Sequence, residues 1–283
     1  MFAVIPAFDE PKIPLDWLGF PEGAAIHGFG ILVALGFVIG GNVAMARARK
    51  LGLDPEVINR LIGWLVAGTF IGGHVGFGLM YAPEEYLANP IEFLKFWRGL
   101  SSFGGFAVCV PLSVWFFWKE KVPVWPYLDC LAHGMAVGWF FGRMGCFVAH
   151  DHPGTPSDFF LAVEGTCRAD ADGVACHDLG LYEALWSLAM FGLFRAMDSI
   201  PRVPGIYPLI LGAVYGPIRF GMDYLRPVST DVRYLGFTPG QYWSLIFFLV
   251  CVYFLAQRMR SGDEPFPFAE PDESAEPPAS AAG

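Results

Sequence analysis

Seven apolar stretches long enough to approach or reach bilayer-spanning length constrain this chain more than any other feature. They cover 24–46, 58–81, 104–118, 127–148, 180–197, 205–222 and 240–258. About 20 apolar residues carry an α-helix across the roughly 30 Å of hydrocarbon. No water reaches the backbone there, so each N–H and C=O must be satisfied within the segment, which a helix achieves. The third stretch is short and is expected to extend back across Ser101, Ser102 and Phe103. Composition agrees: 54% of the chain is hydrophobic and only 16% is charged, against about 25% charged in soluble domains. The expected fold is an all-α integral membrane protein with about seven transmembrane helices.

Basic residues set the expected orientation. Arg47, Arg49, Lys50, Arg60, Lys119, Lys121, Arg195, Arg202, Arg258 and Arg260 fall on one side of this plan. Lys12, Lys95, Arg98, Arg168, Arg226 and Arg233 fall on the other. The richer side is cytoplasmic by the positive-inside rule, which puts the N-terminus outside and the C-terminus inside. Residues 1–23 then read as an extracytoplasmic segment, 24–260 as the membrane domain and 261–283 as a disordered acidic cytoplasmic tail. That tail is rich in Pro, Ala and Ser and holds too little apolar surface to fold. It carries much of the net charge of −9, and no basic face points to nucleic acid. The first 23 residues lack a basic n-region, and Arg47 follows the first apolar run. This is the pattern of an anchored first helix and not of a cleaved signal peptide. There is no internal repeat and no glycine-rich phosphate loop.

Polar residues inside the spans gather at the outer depth. His27 lies near the outer start of the first span, and Arg143 and Arg219 lie near the outer ends of the fourth and sixth. His74 is about two turns below the outer end of the second. An arginine in a span costs about 2.5–3.5 kcal/mol at mid-bilayer on insertion scales, so it faces protein or water and tends to bind something. Arg143, Cys146 and His150 are spaced i, i+3, i+7 and share a face if the helix runs that far. Arg219, Asp223 and Arg226 are spaced i, i+4, i+7, and the first two can pair along one helix. Snorkelling to the interface is the alternative for Arg143; the flanking Gly142 and Gly145 favour close approach by a partner. Guanidinium stays charged and grips phosphate oxygens through a planar fork. The most available phosphate at that depth is a phospholipid headgroup. The residues alone thus reach a phospholipid site in the outer leaflet.

The run Gly142-Arg143-Met144-Gly145-Cys146-Phe147 and its continuation to Gly154 resemble a known signature, Gly-Arg-x-Gly-Asn-Phe-x-Asn-x-Glu-x-x-Gly, that of the prolipoprotein diacylglyceryl transferases. Gly142, Arg143, Gly145, Phe147 and Gly154 match, Asp151 replaces the Glu, and Cys146 and Ala149 replace the two Asn. The resemblance covers most of the chain. Pro6-Ala7-Phe8-Asp9 looks like the family's N-terminal segment, and His27-Gly28-Phe29-Gly30 resembles its His-Trp-Tyr-Gly. Gly72-Gly73-His74-Val75-Gly76-Phe77 resembles Gly-Gly-Arg-Ile-Gly-Tyr, and Trp97 through Gly105 resembles Trp-x-Gly-Gly-Met-Ser-Phe-His-Gly-Gly. His177 through Glu183 resembles His-Pro-Ser-Gln-Leu-Tyr-Glu. Arg219 and Asp223 through Arg226 resemble Phe-Arg followed by Glu-Phe-Phe-Arg, and Gly240-Gln241 matches a Gly-Gln pair.

The resemblance implies transfer of the diacylglyceryl group of phosphatidylglycerol to the lipobox cysteine of lipoprotein precursors, with release of glycerol phosphate. It places the protein in the bacterial plasma (inner) membrane as a multi-pass enzyme with its active site at the outer leaflet. The implied partners are phosphatidylglycerol, prolipoproteins with a lipobox cysteine, and membrane lipids. A thiolate is the effective nucleophile, so a base must take its proton, and arginines stabilise the departing phosphate. That scheme requires neither cofactor nor metal. The expected phospholipid-binding residues are Arg143, Arg219, Cys146, Gly154, Asp223 and Arg226, and the expected catalytic residues are Arg219, His27, His150 and Asp151. The family's Ser-Phe-His-Gly-Gly histidine is Gly104 here, so another base is needed. His27 is the first candidate because it matches a family histidine. His150 is second, on the Arg143 face, and His74 third, with Asp151 orienting the imidazole that acts. The same departures leave open a divergent phospholipid-binding protein of this fold that is non-catalytic or serves another acceptor.

The remaining polar residues divide between site and packing. A metal site from Cys146, His150, His152, Cys167, Cys176 and His177 lacks the usual paired Cys-x-x-Cys or His-x-x-x-His spacing, and none is expected. Cys167 and Cys176 fit a disulfide in an oxidising outer compartment. Cys109, Cys130 and Cys251 read as packing within spans, and His133 as a satisfied buried histidine. A transporter should carry polar residues through the full membrane depth, whereas here they collect at one side.

Overall fold

The apolar stretches fold as helices whose ends are fixed by local caps. The structure, a computed structural model, describes residues 4–19, 23–95, 99–167, 174–228 and 233–266. Within them, α1 spans Gly28–Lys50, α2 Pro55–Tyr81, α3 Pro83–Ala88, α4 Ser102–Glu120, α5 Val124–Ala149, α6 Leu179–Met197, α7 Ile206–Met222 and α8 Pro239–Arg260. Each expected stretch holds one long helix, and the third does extend back, to Ser102, with Ser101 as its N-cap. The first starts later than expected, because residues 25–27 form a strand. Trp97, Arg98, Arg168 and the acidic residues from Glu270 onward lie outside the described residues.

Caps follow the sequence. Asp54 accepts from the Glu56 N–H, with Pro55 opening α2. Asp178 accepts from Leu181 N at 2.9 Å to start α6. Thr238 and Gln241 cap α8 reciprocally. Each such cap satisfies donors that the first turn leaves orphaned.

Among the described residues three helices, α1, α2 and α8, are long and apolar enough to cross a membrane. Exposed stripes such as Phe106, Val110, Val114 and Trp118 on α4, with Val114 68% and Trp118 76% exposed, present side chains suited to lipid. Without a hydrophobic drive between helices in lipid, close backbone approach does the packing. Gly36 and Gly40 of α1 meet Gly134 and Gly138 of α5 in this way: a Cβ on Gly134 would stand 2.4 Å from the Gly40 carbonyl oxygen. On α4, a Cβ at Gly104 would stand 2.2 Å from the Gly72 oxygen of α2.

Small sheets cover one end of the helices. β1 (Lys12–Pro14) pairs antiparallel with β2 (Ala25–His27). β3 (Pro153–Pro156), β5 (Ala175–Asp178) and β4 (Val163–Glu164) form a second sheet in that order. A Cys167–Cys176 disulfide staples the second sheet. Cys130 and Cys251 are buried and Cys109 is partly buried.

Candidate functional site

The end of the molecule at which α5 and α7 finish collects the signature residues. Arg143, in the last two turns of α5, donates from Nε to Glu183 Oε2 of α6 at 2.8 Å. The same carboxylate oxygen accepts from Tyr215 OH of α7 at 3.1 Å and from Trp139 Nε1 at 3.4 Å. The guanidinium also lies 4.8 Å from the centre of the Trp139 ring. Glu183 is 2% exposed, and such a buried carboxylate demands this degree of pairing. One edge of Arg143 is therefore fixed. Its Nη1 reaches the Cys146 Sγ at 3.8 Å, and sulfur is a weak acceptor. The replacement of the signature Asn by cysteine leaves that edge of the fork lightly held.

A second arginine cluster lies beside the first. Asp223 receives Arg219 Nη1 and Thr238 Oγ1 through close contacts, and Arg226 Nε lies 3.3 Å from its Oδ1. The i, i+4 pair expected between Arg219 and Asp223 is thus present. The helix does not continue to Arg226, because α7 ends at Met222 and a 3-10 turn follows at Asp223–Leu225. Gly240 is needed at the start of α8: a Cβ there would stand 2.5 Å from Asp223 Oδ2. Tyr215 links the clusters, lying within Coulombic range of both Arg143 and Arg219. Gly154 sits between strand and turn, where a Cβ would stand 2.8 Å from both His177 Cβ and the Leu225 oxygen.

Of the base candidates, His150 departs furthest from expectation. α5 stops at Ala149 and His150 takes a left-handed conformation, φ 50°, one that histidine tolerates better than most residues. The turn takes His150 off the Arg143 face. Its Nε2 donates to the Phe8 carbonyl at 3.0 Å, its ring lies 4.3 Å from that of Phe8, and its Nδ1 faces Asp178 Oδ2 at 3.9 Å. His27 stands at the N-cap position of α1 without a side-chain capping bond and pairs with Glu10 at 2.9 Å on the surface. His74 is fully buried and meets the Gly99 and Glu92 carbonyl oxygens, both at 3.2 Å, holding those two backbone positions against α2. Asp151 contacts His152 and not His150. Together Cys146, Asp151 and His152 bring one ligand atom each within 4.8 Å of one another. Gly104 is buried in helix packing against Gly72 and Gly76, where a histidine side chain has no room.

Glu183 and Tyr215 escaped the sequence reading of the site. Glu183 carried a signal, as the one acidic residue in the stretch 180–197; Tyr215 carried none apart from its place one turn before Arg219.

These features define an α-helical membrane protein with a cationic site held by buried carboxylates. The family model described as prolipoprotein diacylglyceryl transferase matches residues 19–257, and the chain belongs to that family. A protein of Cereibacter sphaeroides named phosphatidylglycerol–prolipoprotein diacylglyceryl transferase is 28% identical over 281 residues, covering 85% of this chain and 96% of the relative. A protein of the same name from Pseudomonas savastanoi pv. phaseolicola is 31% identical over 233 residues, covering 78% and 84%. Another, from Chromohalobacter salexigens, is 28% identical over 221 residues, covering 76% and 82%.

Proposed function

We infer that this protein transfers the diacylglyceryl group of phosphatidylglycerol to the cysteine thiol of lipoprotein precursors. The observation that carries the reading is Arg143: one edge is locked by Glu183, and the other meets only a thiol among the described residues. A guanidinium held this way is preorganised for a phosphate that gains charge as it leaves. Arg219 and Arg226 flank the same end, held by Asp223, and supply further positive charge to the headgroup. The acceptor thiol must lose its proton at this mouth, where Asp151 and His152 sit beside Cys146. His27 and His150 both point at protein groups, so each would have to release a partner to act as base.

Seven helices spanning a bacterial inner membrane, with the N-terminus and residues 149–179 outside and the C-terminus and acidic tail inside, fit this chemistry. The bias in basic residues and the disulfide in the 149–179 segment support that orientation. Reporter fusions at Gly165 and Lys121 are expected on opposite sides, and the same side for both would remove the outer-leaflet site.

The direct test uses purified protein, phosphatidylglycerol vesicles and a lipobox peptide. Mass spectrometry is expected to show the peptide with a diacylglyceryl thioether. Tight binding of the lipid with no adduct on any thiol acceptor would establish the phospholipid-binding alternative instead.

A further inference from the structure

The chain lacks the family histidine of the Ser-Phe-His-Gly-Gly segment, and the signature end holds a donor set able to handle the thiol in another way. Cys146 Sγ, an Asp151 carboxylate oxygen and a His152 ring nitrogen lie within 4.8 Å of one another. One turn builds the group. The left-handed His150 folds the chain back after α5, so that Asp151 N donates to the Cys146 oxygen at 3.4 Å. Leu179 N donates to the His152 oxygen at 3.1 Å, pinning the other flank. The start of α6 closes on the same spot, where a Cβ at Gly180 would lie 3.1 Å from Cys146 Cβ.

Thiolate, imidazole and carboxylate are the donors that Zn2+ takes at about 2.0–2.3 Å, and three protein ligands with an open fourth position mark a catalytic site. Tetrahedral bonds of that length set ligand atoms about 3.3–3.8 Å apart. A spread of up to 4.8 Å closes by rotation of the Asp151 and His152 side chains, which are 42% and 29% exposed. Thiolate plus carboxylate neutralise a divalent cation, so the Arg143 guanidinium, 3.8 Å from the sulfur, would face a neutral set. Burial falls from Cys146 through His152 to Asp151, which leaves the open position on the accessible side.

We propose that Cys146, Asp151 and His152 bind a zinc-like divalent cation whose open position receives the acceptor cysteine as a thiolate. The proposal rests on the transferase reading above and deepens it. The acceptor S–H ionises on binding and its proton leaves to water. The sulfur then attacks the glyceryl carbon: the S–C bond forms, and the C–O bond to phosphate breaks with its electron pair. Glycerol phosphate departs against Arg143. The cation thus stands in for a base in a chain where Cys146 replaces the signature Asn and Gly104 the family histidine.

The test uses full-length protein in detergent micelles, stripped with a chelator and titrated with Co2+. A thiolate-to-cobalt charge-transfer band with tetrahedral visible bands is expected. Cys146→Ser should abolish the charge-transfer band, and Asp151→Asn or His152→Ala should weaken binding by at least about tenfold, the scale seen on losing even an outer-shell partner. Cys109→Ser, on α4, should leave the band intact. No band in the parent, or a band that survives Cys146→Ser, overturns the site. Adduct formation with the lipobox peptide should fall on chelation and return with Zn2+. Undiminished transfer by the stripped protein overturns the role and leaves the transferase reading standing. A cobalt band without transfer by the metal-loaded parent overturns the thiol role through failure of the transferase reading, with the metal site itself upheld.

Discussion

The two ends of the helix bundle use the same chemistry to opposite effect. At the signature end, Glu183 holds Arg143 with Tyr215 and Trp139. At the end where α1 and α6 finish, Asp198 Oδ1 takes Arg47 Nη1 at 2.6 Å, Tyr207 OH at 2.7 Å and His133 Nε2 at 3.3 Å. Arg47 also stacks over Tyr207, 4.6 Å from its centroid. Nearby, Asp129 accepts from the Gly205 and Tyr207 N–H groups at 2.8 and 3.1 Å, fixing the start of α7 on α5. That cluster encloses its arginine more fully, with the Arg47 side chain 9% exposed against 17% for Arg143, although its carboxylate is the more open of the two, Asp198 being 14% exposed and Glu183 2%. An arginine–carboxylate pair flanked by Tyr207 and His133 ties helices together. In the proposed site the same pair leaves one edge of the guanidinium on a thiol, beside partly exposed acid and imidazole groups.

The sharpest way to break this contrast is to remove a partner at the closed end. Asp198→Ala strands Arg47 among Tyr207 and His133, and losing one member of a buried pair costs about 3–5 kcal/mol. Denaturation in micelles should show that loss, at the lower end because Asp198 is 14% exposed. An unchanged unfolding midpoint would mean the cluster does not hold the helices. Next in size is Arg143→Ala, expected to cut turnover about 10²–10³-fold, the scale of losing one preorganised charge-stabilising donor. Arg143→Lys should fall short of full activity too, since lysine has no fork. Parental turnover in both variants would assign Arg143 to structure and erase the distinction between the ends. Smaller again is the disulfide. Replacing Cys167 and Cys176 with Ser opens a short loop and should cost about 2–3 kcal/mol in the chain-entropy account. Protection in hydrogen exchange should drop in β4 and β5 and not around Asp198; a loss at both ends would show one cooperative unit.

The smallest effect is in the pH profile, where the ends should respond with opposite sign. Burial pushes the Asp178 carboxyl up to about 6 from its ordinary 3.8, against the Leu181 N–H and the nearby His150, while Asp151 also raises it and His152 lowers it. The folded state then holds the proton longer, so stability present below about pH 4 is lost as pH rises towards 6. Burial also acts to raise Asp198, but hydrogen bonds from His133 and Tyr207 and the charges of His133 and Arg47 win and hold it below the ordinary carboxylate range. Its contribution is present above about pH 4 and is lost on acidification. Asp178→Asn should flatten the first limb of the stability profile, and Asp198→Asn the second. Equal flattening of both limbs by either variant would refute the separation.

The sequence by itself determined the helices and where the arginines fall along them, because a spanning segment must be apolar along its whole length and any charge within it stands out. It also offered the Cys167–Cys176 pairing, as the two cysteines share one loop apart from the span cysteines, and the structure shows that bond formed. Only the tertiary structure decided which partners those charges meet. Glu183 and Tyr215 come to Arg143 from two other helices, and no local spacing encodes that meeting. The left-handed turn at His150 overrode the helical spacing that placed it with Arg143, and so moved Asp151 and His152 over Cys146 instead. Gly104 marked a lost histidine in the sequence; packed against the Gly72 carbonyl, it is a contact between two helix backbones. Helical periodicity is a property of one segment, whereas a site depends on how several segments pack, and that packing turns on glycines and caps whose partners lie far along the chain.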